Sequence, residues 1–182
     1  MPDWSDKDII KAVKTPGKEE VAFNQLVQKY QERMYWHIRK IVIDHEDTDD
    51  VLQNTMIKVW KSVSGFRSES GLYTWLYRIA TNEALSFLKQ KKKKSMSPWV
   101  DLEEQMSQNL EADPWFNGDE IQMKLQQAIL KLPEKQRIVF NMKYFDQVKY
   151  EEMSEILGTS VGALKASYHH AVRKIEAMLG DD

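Results

Sequence analysis

Apolar side chains recur every three or four residues along most of the chain, which is the spacing that lines one face of an α-helix. One run predicts a long helix over 18–42, and a second predicts a helix that begins near Asp47 or Thr48 and ends at 64–65. A third run predicts a helix over 72–89, after a polar loop bracketed by glycines. Three helices with such short connections should pack as one compact unit.

A dense run of acids at 44–50 precedes the second predicted helix. The helix dipole and unpaired backbone N–H groups stabilise carboxylates at a helix N-terminus, so capping explains the run. A metal site is the alternative, but the run lacks the glycine and the final glutamate of a calcium loop, and we predict none. The apolar positions that should face inward from this helix are Val51, Leu52, Met56, Val59, Trp60 and Val63.

The periodic pattern stops after the third helix. Residues 90–94 read Gln-Lys-Lys-Lys-Lys, and 95–118 mix Ser, Pro, Asn, Gln and acids with isolated aromatics, which predicts a linker. The lysines fit a solvated, fraying helix end at least as well as a phosphate site. A short helix around 102–110 is compatible with the pattern. The predicted division is a first domain at 1–92, a linker at 93–118 and a second domain at 119–182.

Helical periodicity resumes at 121–132 and again after Pro133. A short helix over 150–157, a turn at 158–160 with a glycine and a capping hydroxyl, and a last helix over 161–179 then form a helix-turn-helix pattern. The second helix of this motif typically enters the major groove of DNA. The predicted fold class is therefore all-α, with two small helical domains joined by a flexible linker.

The last helix has one apolar side and one side suited to DNA. At 100° per residue, the apolar side holds Val161, Leu164, Tyr168, Ala171, Val172, Ile175 and Leu179. The candidates for contact with DNA are Ala163, Lys165, Ala166, Ser167, His169, His170, Arg173 and Lys174. Small residues allow close approach of the backbone, and Lys and Arg reach phosphates or guanine edges. A solvated face that happens to lack acids is the alternative interpretation.

The third helix carries three aromatic residues within five positions, Tyr73, Trp75 and Tyr77, next to Arg78 and Asn82. Trp75 fits the core, but residues two apart cannot all face one way, so at least one ring should be partly exposed. Unpaired nucleic acid binds where bases stack on rings and cations hold the backbone. The preceding loop at 64–71 has the polarity of a pocket for an extruded base.

Composition narrows the function classes. The chain has 182 residues and no cysteine, which excludes disulfides, thiol catalysis and Cys-ligated zinc. No apolar stretch is long enough for a membrane span or a signal peptide, so we expect a cytoplasmic protein without membrane insertion. The net charge of -2 predicts weak binding to DNA by the chain alone, because phosphate neutralisation dominates nonspecific affinity.

Five segments in this order closely resemble bacterial RNA polymerase sigma factors, specifically the extracytoplasmic-function (ECF) group of the sigma-70 family. The segments are FNQLVQKY (23–30), DTDDVLQNTMIKVWKSVSGF (47–66), YTWLYRIATNEALSFLK (73–89), LPEKQRIVFNMKYF (132–145) and YEEMSEILGTSVGALKASYHHAV (150–172). The combination is far more specific than any one motif. It covers about residues 20 to 179.

The resemblance implies three sites. A surface that docks on the clamp helices of core RNA polymerase would comprise Asp49, Asp50, Val51, Leu52 and Gln53. Capture and melting of the minus-ten promoter element would involve Ser64, Phe66, Arg67, Ser68, Tyr73, Trp75, Arg78 and Asn82. The minus-35 element would be read chiefly by Lys165, Ala166, His169 and His170. The chain departs from the family at Thr81, Ser86 and Asn54, where Arg, Asp and Glu are frequent.

The leading hypothesis is a promoter-specificity subunit that binds core RNA polymerase and promoter DNA, needs no cofactor and is not an enzyme. Resemblance also implies an anti-sigma factor that restrains it. A free-standing helix-turn-helix regulator is the alternative, and it would require a dimer and paired half-sites. A metal-dependent enzyme that uses the acids at 44–50 is a third hypothesis.

Overall fold

The computed structural model describes residues 3–94 and 118–180, together with residues 104, 106 and 108. Within these residues the chain is helical without strands, which confirms the all-α class. The helices are α1 (Asp6–Val13), α2 (Glu19–Val42), α3 (His45–Ser62), a 3₁₀ turn (Val63–Gly65), α4 (Leu72–Lys94), α5 (Glu120–Leu130), α6 (Glu134–Tyr144), α7 (Tyr150–Leu157) and α8 (Val161–Gly180). No helix in the described part of the chain is long and apolar enough to cross a bilayer.

Helix α1 is an element that the apolar periodicity did not predict. Its signal in the sequence is a capping box: the Ser5 hydroxyl accepts a hydrogen bond from the Asp8 backbone N–H at 3.2 Å, and the Asp8 carboxylate accepts from the Ser5 N–H at 3.1 Å. Asp6 then accepts hydrogen bonds from Lys29 and Tyr30 on α2. With Ile9 fully buried, these bonds fix α1 against α2.

Helix α3 begins earlier than the sequence predicted. Asp44, rather than Asp47 or Thr48, is the N-cap, and its carboxylate accepts a hydrogen bond from the Asp47 N–H at 2.9 Å. Thr48 is already inside the helix, where its hydroxyl donates to the Asp44 carbonyl at 2.6 Å. The capping interpretation of the acids at 44–50 therefore holds for Asp44, while the assignment of the cap to Asp47 or Thr48 was wrong.

Helix α4 continues through the lysines that the sequence assigned to a linker. It ends at Lys94 rather than near Lys89 because lysine is a good helix former and is favoured at the negative end of the helix dipole. Lys91 Nζ also lies 2.6 Å from Asp47 Oδ2, which joins the end of α4 to the start of α3. The predicted short helix at 102–110 lies outside the described residues except for 104, 106 and 108.

The N-terminal unit (α1–α4) and the C-terminal unit (α5–α8) share one apolar core. Leu76 and Tyr77 of α4 belong to the same buried cluster as Val139, Met142 and Met153 of the C-terminal unit. Helices α4 and α7 pack directly against each other. The two predicted helical bodies are thus pressed together in this structure.

Candidate nucleic-acid interface

Helix α3 presents a polar outer face beside a buried one. Asp49, Asp50 and Gln53 are exposed, Leu52 is half-buried, and Val51 is buried, which leaves the Val51 side chain no surface for a partner. The prediction that Trp60 faces inward was wrong, since 46% of its surface is exposed. Its ring packs edge-on against Phe23 with the centroids 5.0 Å apart, so it sits over the rim of the core.

Three of the five acids of the 44–50 run have partners within the protein. Asp44 caps α3, Asp47 pairs with Lys91, and Asp49 Oδ2 lies 3.5 Å from His45 Nε2. In the described ranges no three side chains of the ligating types come close enough to hold a metal ion. The arrangement is that of a capped and paired helix start.

The loop before α4 forms a cleft against that helix. The cleft has a volume of about 410 Å³ and is lined by Ser62, Gly65, Phe66, Arg67, Glu69, Ser70, Trp75, Arg78 and Ile79. Phe66 is buried, and its ring lies 5.0 Å from that of Trp75, which anchors the loop to the helix. Arg67, Ser68 and Ser64 are exposed around it. We call this feature the loop cleft.

The aromatic residues of α4 divide between two faces. Trp75 is half-buried beside the loop cleft, and Arg78 and Asn82 are exposed. Tyr77 takes the core position that the sequence analysis gave to Trp75, because only 2% of it is exposed. The prediction that at least one ring is partly exposed is confirmed by both Tyr73 and Trp75.

Tyr73 lies on the opposite side of α4 from the loop cleft and faces the C-terminal unit. Its ring centroid is 4.1 Å from that of Tyr77, and the Arg33 guanidinium stands 4.5 Å above it. Phe145 and Asp146 of the C-terminal unit line the same hollow. Burial raises the pKa of the Tyr73 hydroxyl. The sequence-predicted minus-ten residues are therefore not brought together on one open surface.

Helix α8 exposes the side that the sequence predicted for DNA. Ser167 is half-buried, and the exposed members of the set are Ala163, Lys165, Ala166, His169, His170, Arg173 and Lys174. Behind them, Leu164, Ala171 and Ile175 are buried, whereas Leu179 is 37% exposed and its predicted inward position was wrong. The motif is set by Gly158, a left-handed C-cap with φ 66°, and by Ser160, whose hydroxyl accepts from the Ala163 N–H.

Comparison with known proteins places these elements in a family. The family models that match are Sigma-70 region 2, over residues 26–94, and Sigma-70 region 4, over residues 122–175. The ECF RNA polymerase sigma factor SigW of Bacillus subtilis is 30% identical to the chain over 96% of its length and 97% of the relative's. The chain belongs to the ECF sigma factors of the sigma-70 family. Such a sigma factor is the promoter-recognition subunit that directs RNA polymerase in transcription initiation.

Other relatives and solved structures resemble this sigma factor along most of its length. The RNA polymerase sigma-H factor of Pseudomonas aeruginosa is 29% identical over 96% of the chain and 93% of the relative. The structure of CnrH in complex with the cytosolic domain of CnrY matches with a TM-score of 0.70 and 21% identity, over 97% of this chain and 98% of that one. RpoE in complex with the anti-sigma factor NepR from Bartonella quintana matches with a TM-score of 0.68 and 20% identity, over 88% and 98%. These two structures share the fold.

One polar cluster escaped the sequence analysis. Asp146, in the loop between α6 and α7, accepts a hydrogen bond from Lys40 and faces His37, both on α2. No local pattern signals this cluster, because the partners are more than one hundred positions apart in the chain. Only the packing of the two units brings them together.

Proposed function

We propose that this sigma factor uses three separate surfaces for its three contacts, with no covalent chemistry of its own. The polar face of α3 docks on core RNA polymerase, the loop cleft with α4 holds the minus-ten element, and the outer face of α8 reads the minus-35 element. The loop cleft is the observation that carries the proposal. We also propose that the sigma factor acts in the cytoplasm, where it meets the polymerase. Its functional domains would be residues 1–92 and 119–182, with a linker at 93–118.

The loop cleft has the composition that an extruded base requires. One wall is aromatic, with half-buried Trp75 packed against Phe66, and two cations, Arg67 and Arg78, line the cleft against one acid, Glu69. A base that leaves the duplex can stack on an aromatic side chain while arginines hold the adjacent phosphates. Each stacked base contributes about 1–3 kcal/mol to binding. Stacking in the loop cleft would then partly offset the free-energy cost of unpairing the bases of the minus-ten element, where melting must begin.

The face of α3 suits a basic protein partner. Asp49 and Asp50 point two carboxylates outward, Gln53 adds an amide one turn further along, and buried Val51 holds the helix in place. Exposed complementary charges steer association and set the register of docking. This surface is distinct from the loop cleft, so both contacts can form together.

The outer face of α8 offers both kinds of contact that promoter reading requires. Lys165, Arg173 and Lys174 are long cations that reach phosphates or guanine, and Ala163 and Ala166 let the helix approach the base edges. The number of cations is small for a free-standing DNA-binding protein. Occupancy of the promoter should therefore depend on the polymerase, which holds two weak contacts at a fixed spacing.

An anti-sigma factor is the further partner that we propose. Two proteins with the same fold have been solved with a regulator bound: CnrH with the cytosolic domain of CnrY, and RpoE with the anti-sigma factor NepR. A partner of that kind would restrain this sigma factor until its signal arrives.

The test is open-complex formation by the reconstituted holoenzyme. Arg78→Ala removes a cation from the loop cleft, and we expect open complex, measured by permanganate reactivity of the minus-ten region, to fall roughly tenfold. Polymerase affinity should stay unchanged, because Arg78 is not on the docking face of α3. Lys14→Ala, which removes an exposed cation outside all three surfaces, is the matched control. Equal melting by Arg78→Ala and Lys14→Ala would contradict the assignment of the loop cleft.

A further inference from the structure

The closed arrangement of the two units conflicts with the DNA-binding role of α4, and the conflict can be traced to one side chain. Asp146 is the only acid of the loop between α6 and α7, and it reaches across to α2. It accepts a hydrogen bond from Lys40 Nζ, and its Oδ2 lies 3.6 Å from His37 Nδ1. The side chains of all three are largely shielded from solvent.

The bonds around His37 show which of its nitrogens carries a proton. The Thr81 hydroxyl donates to the Tyr77 carbonyl at 2.6 Å, so its oxygen can only accept from His37 Nε2, which is 2.7 Å away. Burial lowers the pKa of the His37 imidazole, which favours the neutral ring with the proton on Nε2. Nδ1 then has no proton to offer Asp146, and Lys40 is the partner that balances its charge.

Asp146 stays ionised in this setting. Burial raises the pKa of its carboxyl, but the Lys40 ammonium, which donates a hydrogen bond to Oδ1, opposes burial, and the pKa lies below its ordinary value. A charged carboxylate that is mostly buried is costly unless its cation stays with it. The contact between Lys40 and Asp146 thus ties the position of the C-terminal unit to α2.

The same contact holds the loop between α6 and α7 beside the aromatic face of α4. Tyr73 and Tyr77 line one hollow with Phe145 and Asp146. Met153 and Ile156 of α7 belong to the apolar core shared with α4. The Tyr73 hydroxyl lies within the field of the Arg33 cation and, more weakly, of the carboxylates of Asp146 and Glu152. In this arrangement the half-buried Tyr73 ring lines a hollow that Phe145 and Asp146 close on one side, which limits the space for a base to stack on it.

We propose that the Asp146–Lys40 contact is an autoinhibitory latch, which holds the C-terminal unit over the Tyr73 face of α4 until the two units separate. This inference rests on the proposed role of α4 in binding the minus-ten strand. Opening exposes Tyr73 and removes both carboxylates from its surroundings. The loop cleft on the opposite side of α4 is accessible in either state.

The first experiment measures opening in the free full-length chain. A compact 182-residue chain has a radius of gyration of about 16 Å. By small-angle X-ray scattering, Asp146→Asn should raise this radius, because the neutral amide can accept a hydrogen bond from Lys40 but no longer attracts its charge. Glu155→Gln, which removes an exposed acid from α7 of the same unit, should leave it unchanged. An unchanged radius in Asp146→Asn would overturn the latch.

Charge reversal separates a latch from a simple loss of folding. Lys40→Glu and Asp146→Lys should each open the chain, since each places two like charges at the contact. The double variant restores opposite charges and should return the radius to that of the wild type, with the circular dichroism melting curve confirming that each variant is folded. A double variant that stays as open as either single variant would also overturn the latch.

The second readout is binding of the free chain to single-stranded oligothymidine by fluorescence anisotropy. Opening by Asp146→Asn should tighten binding roughly tenfold, because apparent affinity scales with the fraction of chain in the competent state. Tyr73→Ala in the Asp146→Asn background should reverse the gain. If the radius rises while binding does not change, the latch stands and the proposed role of the Tyr73 face fails. If the radius stays fixed, the latch itself fails whatever the DNA result.

Discussion

Two faces of the 23-residue helix α4 differ in what surrounds them. One borders the loop cleft, and we call it the cleft face. On the cleft face, Arg78 and Asn82 are exposed, and Trp75 is half-buried beside an open hollow. On the opposite face, which we call the junction face, Tyr77 and Thr81 are buried; Tyr77 lines a hollow with Phe145 of the C-terminal unit, and Thr81 bonds to His37 of α2. The comparison shows that one helix can serve recognition on one side and supply the core of an interdomain contact on the other. Substitutions on the two faces should therefore have separable effects.

The largest effect should come from the buried side. Leu76 is fully buried in the core that the two units share, so Leu76→Ala should lower the free energy of unfolding by about 2–5 kcal/mol. Arg78→Ala, two residues further along on the cleft face, should change it by no more than about 0.5 kcal/mol. Urea denaturation followed by circular dichroism measures both. Similar losses from the two variants would erase the distinction between the faces.

A smaller effect is expected at the polar part of the junction face. Thr81→Ala removes the acceptor of the His37 Nε2–H and leaves a buried donor unpaired, which should cost about 1–3 kcal/mol. Thr81→Ser keeps the hydroxyl and is the matched control, with only a methyl group lost. The same urea titration applies, and the prediction fails if serine is no better tolerated than alanine.

The smallest effect is a dependence on pH. The pKa of His37 is lowered by burial despite the attraction of Asp146, with Lys40 adding to the decrease, and Tyr77 packs on the ring. As pH falls below the ordinary value of 6.5, the unfolded chain takes up this proton before the folded chain does. The stability contribution is therefore present above that pH and is lost below it.

The measurement compares the wild type with His37→Gln. The melting temperature of the wild type should decline more steeply as pH falls from about 7 to about 5. Asp146 does not confound this window, because the pKa of its carboxyl lies below its ordinary value of 3.8. The exposed histidines are common to both proteins and cancel in the difference. Parallel curves for the two proteins would exclude a contribution from His37.

Much of the fold could be predicted from the sequence because the signals that define a helix lie within the helix and at its two ends. The bounds of α7 and the outer face of α8 follow from periodicity, glycine and capping hydroxyls, and the structure confirms them. Errors arose where local signals were ambiguous. Several acids competed to cap α3, and Asp44 is the cap because the chain turns just before it at Ile43, where φ is 69°. Lysines at 91–94 resembled a linker but extend α4.

The contact between the N-terminal and C-terminal units could not be predicted, because it depends on packing between segments that are distant in the sequence. Periodicity alone cannot say whether Trp75 or Tyr77 is the buried ring, since that depends on what covers each face. The departure at Thr81 gains a physical reason from the structure. Where the family often has arginine, this chain has a small hydroxyl that is fully buried and bonded to His37. An arginine there would have to displace the C-terminal unit or the imidazole.

The continuity of α4 has a geometric consequence. Its 23 residues make a rod of about 34 Å, with the loop cleft at one end and the last lysines at the other. Each added residue would turn everything beyond it by about 100° about the axis. One alanine inserted after Ile79 would thus rotate the positions beyond it, including buried Thr81, by about 100° while the residues that line the loop cleft keep their orientation, so the phase of this helix matters as well as its composition.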